Sequence, residues 1–268
     1  MMELAGIIAI TLPNRALGDT DEKVFKKIHA VYLGMVSYAD MLLGRILDAL
    51  ERTGLAENTT VSASSDHGDW AGDWGLVEKW PNAFDDDLTR VPLIVRRPGC
   101  PGGHRVAELT QTFDIFPTVC EWEGLPLRHD QFGVSLSRQV GGAAGDPERV
   151  VWCEGGYDAR EPQCFEGTAG FAMFNRPGNI YYPKMAQQQE QPESVCRGVM
   201  MRTPEYKLVI RTNGDNELYD MVKDPQELEN RYHWDEYAEL TAQLERQMLV
   251  WLIGSSDVVP WEPHGRSK

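Results

Sequence analysis

Cysteine, positive charge and long apolar runs are all scarce in this 268-residue sequence. Its five cysteines are widely spaced, odd in number and never arranged as C-x-x-C, so we expect free thiols rather than a disulfide framework or a structural zinc site. The formal net charge of −15 argues against a broad nucleic-acid-binding surface, and we expect no nucleic-acid partner. An acidic chain that binds an anion needs a cation to reverse its local field.

The chain begins with a short apolar run, Ala5 to Leu12, that cannot span a bilayer. Glu3 lies where a signal peptide carries basic residues, and no cleavage pattern follows. The sequence therefore predicts no signal peptide, no transmembrane segment and no membrane partner. It leaves the localisation undetermined.

The overall composition is that of a globular α/β chain, with 42% hydrophobic and 25% charged residues. Apolar residues recur at intervals of three and four between residues 21 and 52, which predicts a long amphipathic helix that packs through one face and ends near Gly54. Short strands are predicted around residues 59–61 and 91–95, and a short helix over residues 114–123, with Asp114 as its cap.

The second half of the chain has a different pattern. Segments 198–202, 206–211 and 217–219 are separated by turn residues and predict an antiparallel meander, and a final helix is expected over residues 234–252. Residues 155–195 show no clear period. We therefore divide the chain into residues 1–140, part of an α/β catalytic domain, and residues 150–268, a small antiparallel-sheet subdomain with the final helix.

The densest group of chemically useful residues follows the first predicted strand. Asp66 and His67 come directly after it, where open α/β sheets place ligand sites, and their oxygen and nitrogen atoms suit a divalent metal. Glycines in the next loop let the backbone approach a small anion, and Lys79 supplies a positive charge. Taken alone, an Asp-His pair is weak evidence, because it more often forms a solvated turn.

The combined pattern is more specific and resembles the sulfatase family of the alkaline phosphatase superfamily. It consists of Ser65, Asp66, His67, Gly68, Gly72, Gly75 and Lys79, followed by Val91, Pro92, Leu93, Ile94, Val95, Pro98 and Gly99. The flanking segments 32–50, 114–118, 133–136 and 217–230 are also similar to segments of that family. The resemblance covers roughly residues 25–250, apart from residues 140–195.

This resemblance implies a partial alkaline-phosphatase-like α/β sheet flanked by helices, a small C-terminal antiparallel sheet with a helix, and metal-dependent hydrolysis of sulfate esters. By position, Asp66 and His67 match two metal ligands, and Lys79 matches the catalytic lysine that contacts the sulfate group and the leaving oxygen. Calcium is the leading metal, although many sulfatases have Asn at the position of His67. The implied partner is a sulfated small molecule or glycan.

One departure from the family pattern limits this hypothesis. Sulfatases carry a C-x-P-S-R or S-x-P-S-R motif whose Cys or Ser becomes the formylglycine nucleophile, and the 268 residues contain no such motif. The family's paired N-terminal aspartates are also absent, so the chain resembles a C-terminal half. We expect it to be inactive alone, with a partner covering an exposed sheet. A phosphonate or phosphate ester hydrolase, and a non-catalytic sulfatase-like fragment or binding protein, remain alternatives.

Two further groups have a simple structural explanation. Trp70, Trp74 and Trp80 lie in the loop that carries Lys79, where they form either pocket walls or a layer packed beneath the loop. The run from Asp85 to Asp87 is able to bind a cation, but a charge run is usually a solvated face. We expect packing for the tryptophans and solvation for the aspartates.

Overall fold

The computed structural model describes residues 21–165, residue 179 and residues 182–256. The described part is a mixed α/β structure with two antiparallel sheets and several helices. In chain order the helices and strands are α1 (Glu22–Arg52), β1 (Val61–Ser64), α2 (Asp86–Thr89), β2 (Leu93–Arg96), α3 (Ile115–Trp122), α4 (Ser137–Val140), β3 (Val151–Gly155), α5 (Tyr182–Glu190), β4 (Gly198–Arg202), β5 (Tyr206–Arg211), β6 (Glu217–Asp220) and α6 (Ala238–Ser255).

Helix α1 confirms the longest predicted element. The Asp21 side chain accepts a hydrogen bond from the backbone N–H of Lys23 and so caps the first turn. The helix ends at Arg52, and Gly54 follows in the left-handed region with φ of 72°. The described residues cover the predicted packing face only in part, because its residues Ile28, Leu43 and Leu50 are half-buried and no side chain of α1 is fully buried.

The length and composition of α1 also correct the expectation that no segment could span a membrane. The helix has 31 residues and contains an 18-residue window with a mean hydropathy of 1.3, which satisfies both criteria for crossing a bilayer. These criteria are weak evidence, because core helices of soluble proteins satisfy them too. The helix therefore assigns no location to the chain.

The smaller sheet positions the Asp-His pair. Strands β1 and β2 are antiparallel, with Val61 opposite Arg96 and Ser64 opposite Leu93. Half-buried and exposed side chains alternate along both strands, as expected for a pleated ladder with two different faces. Within the described part of the chain, β1 pairs with β2 and with no other strand. Asp66 and His67 follow β1 after a single intervening residue.

The larger sheet confirms the predicted meander. Its order is β3-β4-β5-β6, and each neighbouring pair is antiparallel. Helix α6 covers one face, where Leu244 and Met248 join Leu208 and Leu218 in an apolar core. Apolar residues alternate with polar ones along these strands and recur every three to four residues in α6, so the apolar side chains of sheet and helix face each other. The same two patterns allowed the strands and the helix to be predicted from the sequence.

Two buried hydrogen bonds connect the loop after β1 to the segment that precedes β4. The indole Nε1 of Trp80 donates to the carbonyl oxygen of Ser194 at 2.6 Å, and the Asn82 amide donates to the carbonyl oxygen of Cys196 at 2.8 Å. Both partners lie 114 residues further along the chain. These bonds hold the Lys79 loop against the larger sheet.

Helix α5 was missed in the sequence. Its segment contains Gln187, Gln188 and a third consecutive glutamine, Gln189, and the run has no apolar stripe to reveal a helical period. Gln187 and Gln188 are nevertheless buried, and so is Lys184. Tertiary packing of polar side chains therefore determines this helix, and a pattern of hydrophobicity does not detect it.

The acidic run after Trp80 was expected to be a solvated face, and the structure corrects this. The ammonium of Lys207, which is 1% exposed, lies 2.5 Å from the Asp86 carboxylate and 3.0 Å from the carbonyl oxygen of Phe84, and it also pairs with Glu227. Burial raises the pKa of Asp85, against the opposing charge of Lys207. Asp85 and Asp86 are thus part of a largely buried ionic cluster, whereas Asp87 is exposed.

Asp114 lies at the N-cap position of α3, as predicted, but its side chain makes no capping hydrogen bond to that helix. Its carboxylate instead accepts hydrogen bonds from the backbone N–H groups of Gln111 and Val134, each at 2.8 Å. The guanidinium of Arg149 donates to the same carboxylate at 2.6 Å, and Asp114 is fully buried. The carboxylate thus completes a capping box with Gln111 on the preceding turn and also joins that turn to two distant segments, at Val134 and Arg149.

Candidate active site

The turn after β1 brings the side chains of Asp66 and His67 together. The carboxylate of Asp66 accepts a hydrogen bond from the backbone N–H of His67 at 3.0 Å, and its second oxygen lies 3.5 Å from Nε2 of His67. The next residue, Gly68, donates its N–H to the carbonyl oxygen of Leu88 at 2.8 Å. A Cβ at position 68 would lie 1.9 Å from the carbonyl oxygen of Asp87, so this close approach requires glycine.

The imidazole of His67 is oriented through both nitrogens. Its Nδ1 lies 2.8 Å from the carbonyl oxygen of Gly68, a group that can only accept, so Nδ1 carries the proton. Nε2 then holds a lone pair and lies 2.6 Å from the ammonium of Lys79, which donates to it. The three residues singled out in the sequence therefore meet in one place.

The loop that carries Lys79 is conformationally unusual. Three non-glycine residues within it, Ala71, Trp74 and Glu78, have φ values of 49°, 59° and 66°. Such left-handed residues cost free energy and persist where surrounding contacts hold them. Here the carboxylate of Asp69 accepts hydrogen bonds from the backbone N–H groups of Ala71 at 2.7 Å and Glu78 at 2.9 Å. Asp69, which the sequence analysis did not single out, thus joins both ends of the loop just before Lys79.

The charge of Asp66 is favoured by its surroundings. The hydrogen bond from the His67 backbone lowers the pKa of the Asp66 carboxyl, and the positive charge of Lys79 acts in the same direction. Its carboxylate is open to solvent, with 85% of the side chain exposed. An ionised carboxylate at this position is available to a cation from the solvent side.

Asp66, His67 and Lys79 line a cleft of about 1090 Å³. The charged residues in its wall are three basic ones, Lys79, Arg90 and Lys184, and three acidic ones, Asp66, Glu108 and Glu154. Although the whole chain has a formal charge of −15, the basic and acidic residues in the wall of this cleft are equal in number. An anion meets less repulsion in a cleft with balanced charges than at a surface lined by acidic residues alone.

The donor set at Asp66 and His67 fits part of a divalent metal site. Two adjacent ligands of an octahedral ion with bonds of about 2.4 Å are separated by about 3.4 Å, and the carboxylate oxygen and Nε2 are 3.5 Å apart. A metal ion at Nε2 would require the Lys79 ammonium to move to another acceptor. Among the described residues, no group of three or more His, Cys, Asp or Glu side chains is arranged to hold a metal. The described residues thus offer two protein ligands at this position, Asp66 and His67.

The tryptophans mostly pack, as expected. Trp70 and Trp80 are 0% and 3% exposed and belong to one apolar cluster, and Trp74 packs against it. Trp80 also lines the cleft, so it serves as both wall and core. Lys184, which lines the cleft and lies 3.6 Å from the carboxylate of Glu78, was missed because it lies in an unrecognised helix.

Comparisons with known proteins agree with this geometry. The Sulfatase family model matches residues 12–125, and a second model, N-sulphoglucosamine sulphohydrolase, C-terminal, matches residues 174–252. The described elements are those of a partial alkaline-phosphatase-like fold. These matches support a fragment of the sulfatase family of the alkaline phosphatase superfamily.

Individual relatives come from both branches considered in the sequence analysis. Arylsulfatase K of Bos taurus is 25% identical over 234 residues, which cover 86% of this chain and 38% of the relative. N-acetylglucosamine-6-O-sulfatase of Bacteroides thetaiotaomicron is 27% identical over 216 residues, which cover 80% of this chain and 35% of the relative. The crystal structure of the phosphonate monoester hydrolase of Agrobacterium radiobacter superposes on this chain with a TM-score of 0.71 at 26% sequence identity. The superposition covers 91% of this chain and 47% of the hydrolase chain.

The chain spans less than half the length of these relatives. Family membership supports a sulfatase-like hydrolase as its class. The activity, the substrate and the metal are proposals, and they follow.

Proposed function

We propose that this chain forms the metal-ligand and leaving-group side of an active site that hydrolyses sulfate esters. The observation that carries the proposal is the contact between the Lys79 ammonium and Nε2 of His67, 2.6 Å apart, in a cleft that Asp66 also lines. A cation, an imidazole and a carboxylate at one end of a cleft are the groups that bind a tetrahedral anion together with its metal. The relatives that are sulfatases support this choice.

Each residue has a distinct role in the proposal. Asp66 and His67 hold a divalent metal, with calcium as the leading candidate because a carboxylate on a solvent-exposed turn suits a hard cation. When bound, such a metal polarises the oxygens of the ester group. Lys79 binds a sulfate oxygen and offsets the charge that develops on the leaving oxygen. Asp69 holds the loop that positions Lys79.

The proposal does not extend to a complete catalytic cycle. Covalent sulfatase chemistry needs an activated nucleophile beside the metal, and the printed sequence has no C-x-P-S-R or S-x-P-S-R motif. We therefore propose that the chain as given binds the ester without turning it over. The sequence-based division into residues 1–140 and 150–268 is retained as part of the proposal, with the cleft walled by side chains from both parts.

A second candidate function is hydrolysis of phosphonate or phosphate esters. The phosphonate monoester hydrolase of Agrobacterium radiobacter favours it, because this chain is 26% identical to it and shares its fold with a TM-score of 0.71. A phosphoryl group differs from a sulfuryl group mainly in its greater negative charge, so the same cation and metal serve both. A purely non-catalytic binding protein is the third alternative, which the sequence left open.

Binding of two small esters by the purified chain tests the proposal. Calorimetric titration with phenyl sulfate and phenyl phenylphosphonate, a phosphonate monoester, in the presence of calcium should show tighter binding of phenyl sulfate. Asp66→Asn and Lys79→Met should each weaken the binding of phenyl sulfate about tenfold, since each removes one charge-assisted contact. Tighter binding of phenyl phenylphosphonate would favour the second candidate. Equal binding of phenyl sulfate by the wild type and both variants would refute the assigned site.

A further inference from the structure

Glu227 is a buried acidic residue that does not line the cleft and has no role yet in the proposed site. It lies in the turn after β6, is 6% exposed and has a left-handed backbone with φ of 58°. Non-glycine residues keep this conformation where surrounding contacts hold them, and they concentrate at functional positions. Here the Asp224 carboxylate accepts hydrogen bonds from the N–H groups of Leu228 at 3.0 Å and Glu229 at 2.8 Å. These bonds fix the turn in which the Glu227 side chain is buried.

The carboxylate of Glu227 holds the first residue of helix α2. Its Oε2 accepts a hydrogen bond from the backbone N–H of Asp86 at 3.0 Å, across 141 residues of sequence. Its Oε1 pairs with the ammonium of Lys207, which also lies 2.5 Å from the Asp86 carboxylate. Both oxygens of one carboxylate therefore connect the start of α2 to the larger sheet.

The same short helix contacts two parts of the candidate site. The carbonyl oxygen of Leu88 accepts a hydrogen bond from the N–H of Gly68 at 2.8 Å, and the carbonyl oxygen of Gly68 lies 2.8 Å from Nδ1 of His67, which donates to it. The Asp87 carboxylate accepts a hydrogen bond at 3.1 Å from the indole Nε1 of Trp74, in the loop that follows the Asp-His turn. Helix α2 therefore connects the turn after β6 to both the imidazole and the loop.

We infer that Glu227 is a positioning residue, which holds the Asp-His turn and the following loop in place through α2; this inference rests on the proposed function. An ionised carboxylate accepts from the Asp86 N–H and from the Lys207 ammonium through charge-assisted bonds, which are stronger than neutral ones. A protonated carboxyl or a glutamine amide has fewer acceptor positions and cannot hold both donors equally well. The ionised form of Glu227 is therefore the one that orders the site.

The charge of Glu227 changes near neutral pH. Burial raises its pKa from 4.5 to about 7, while Lys207 opposes the shift. The other ionisable groups that interact with it are Asp85, Asp86, Arg202 on β4 and Tyr219 on β6. A rise in pH through 7 should tighten ligand binding at the site, whereas the same ionisation lowers the stability of the fold. A purely structural role predicts that binding and stability fall together.

Amide hydrogen exchange measures the positioning without a ligand. In Glu227→Gln at about pH 8, the Gly68 amide should exchange about tenfold faster than in the wild type, because its bond to Leu88 opens more often. The amide of Leu208, at the centre of the larger sheet, should not exchange faster. Glu239→Gln, an exposed control with the same change of charge, should leave both rates unchanged. An unchanged Gly68 rate in Glu227→Gln, or an equal rise at Leu208, overturns the positioning role.

Calorimetric titration with phenyl sulfate, in the presence of calcium, measures the effect on the site. At about pH 8 the wild type should bind about threefold more tightly than Glu227→Gln, the low end of the effect of one hydrogen bond. At about pH 5.5 the two proteins should bind equally, because Glu227 is then protonated. His67 is present in both proteins, so its own titration does not alter the ratio of their affinities. Glu239→Gln should match the wild type at both pH values.

The two measurements separate this inference from the function on which it rests. If the wild type does not bind phenyl sulfate but Gly68 responds to Glu227→Gln as expected, the proposed sulfate site is wrong and the positioning of the turn is supported. If the wild type binds phenyl sulfate with an affinity ratio to Glu227→Gln that does not depend on pH, the positioning role is overturned and the sulfate site remains.

Discussion

The ammonium of Lys207 donates to the carbonyl oxygen of Phe84, 123 residues earlier in the chain, at a distance of 3.0 Å. The same ammonium pairs with Asp86 at 2.5 Å and with Glu227. One buried side chain on the larger sheet therefore holds the end of the loop that begins at the Asp-His turn. The position of the candidate site depends on this cluster as much as on strand β1.

Removal of the Lys207 charge should strongly destabilise the chain. Lys207→Met leaves the carboxylates of Asp86 and Glu227 without their buried cation, and breaking a buried pair in this way costs about 3–5 kcal/mol. The double variant with Glu227→Gln should recover part of the loss, because the most buried carboxylate is then neutral. Urea unfolding measures both. Lys223→Met, an exposed control, should change the free energy of unfolding by less than about 1 kcal/mol, and an equally small effect of Lys207→Met would contradict the cluster.

The stability of the chain should fall as the pH rises through neutrality. Burial raises the pKa of Glu227 from 4.5 to about 7, while Lys207 opposes the shift. The folded state thus keeps a proton that the unfolded state has lost, so the stabilisation is complete below about pH 4.5 and disappears as the pH passes 7. The Glu227→Gln variant has no carboxyl proton to lose, so its stability should depend less on pH. Between pH 5 and 8 its free energy of unfolding should fall by about 1–3 kcal/mol less than that of the wild type.

Unfolding curves at several pH values test this prediction. Glu239→Gln, at an exposed position on α6, is the matched control and should keep the slope of the wild type. A Glu227→Gln slope identical to that of the wild type would show that the carboxyl titrates alike in the folded and unfolded states. Burial also raises the pKa of Asp85 and Glu217, so the slope should decrease without vanishing.

A methyl group at position 68 should disturb the Asp-His turn. In Gly68→Ala the new Cβ would lie 1.9 Å from the carbonyl oxygen of Asp87, so the backbone must move, at a cost of about 1–3 kcal/mol. Gly102→Ala is the matched control, because nothing lies within 4 Å of its Cβ and its φ is not in the left-handed region. Chemical denaturation should separate the two variants, and equal stabilities would contradict the close approach.

The metal affinity of the chain should be low and should depend on Asp66. Complete calcium sites take 6–8 oxygen ligands and the weaker ones bind at about 10⁻³ M, so two protein ligands predict a dissociation constant above about 1 mM. Terbium luminescence excited through the nearby tryptophans provides the measurement. Asp66→Asn should abolish the signal, whereas Asp73→Asn, which removes the same charge from an exposed position in the loop, should preserve it. Loss in both variants would indicate nonspecific attraction to an acidic surface.

The isolated chain should not hydrolyse an aryl sulfate, even with calcium supplied. Two ligands and a lysine bind and polarise an ester, but covalent catalysis also needs an activated nucleophile. A chromogenic assay of the purified chain, with Asp66→Ala as control, measures this. Turnover well above background that disappears in the control would reveal a nucleophile among residues that the present proposal does not use.

The sequence by itself determined the elements whose signals are local. Apolar spacing was sufficient for α1 and α6, alternation between turns for the meander of β4 to β6, and the spacing of Asp66, His67 and Lys79 for the family. These patterns can be recognised in the sequence because each involves residues that lie close together along the chain. The same locality explains why the boundaries of these elements were nearly right.

Only the tertiary structure decided which distant side chains meet. Helix α5 lacks an apolar stripe, yet packing buries Lys184 at the cleft beside Glu78. Lys207 brings Asp86, which was expected to be solvated, into a largely buried ionic cluster. Such contacts depend on loop closure over more than 100 residues, which leaves no period or spacing in the sequence. Asp69 is intermediate between local and long-range contacts. Its two donors, Ala71 and Glu78, lie near it in the sequence. The sequence does not reveal that their backbone is left-handed, and this conformation turns both N–H groups towards the Asp69 carboxylate.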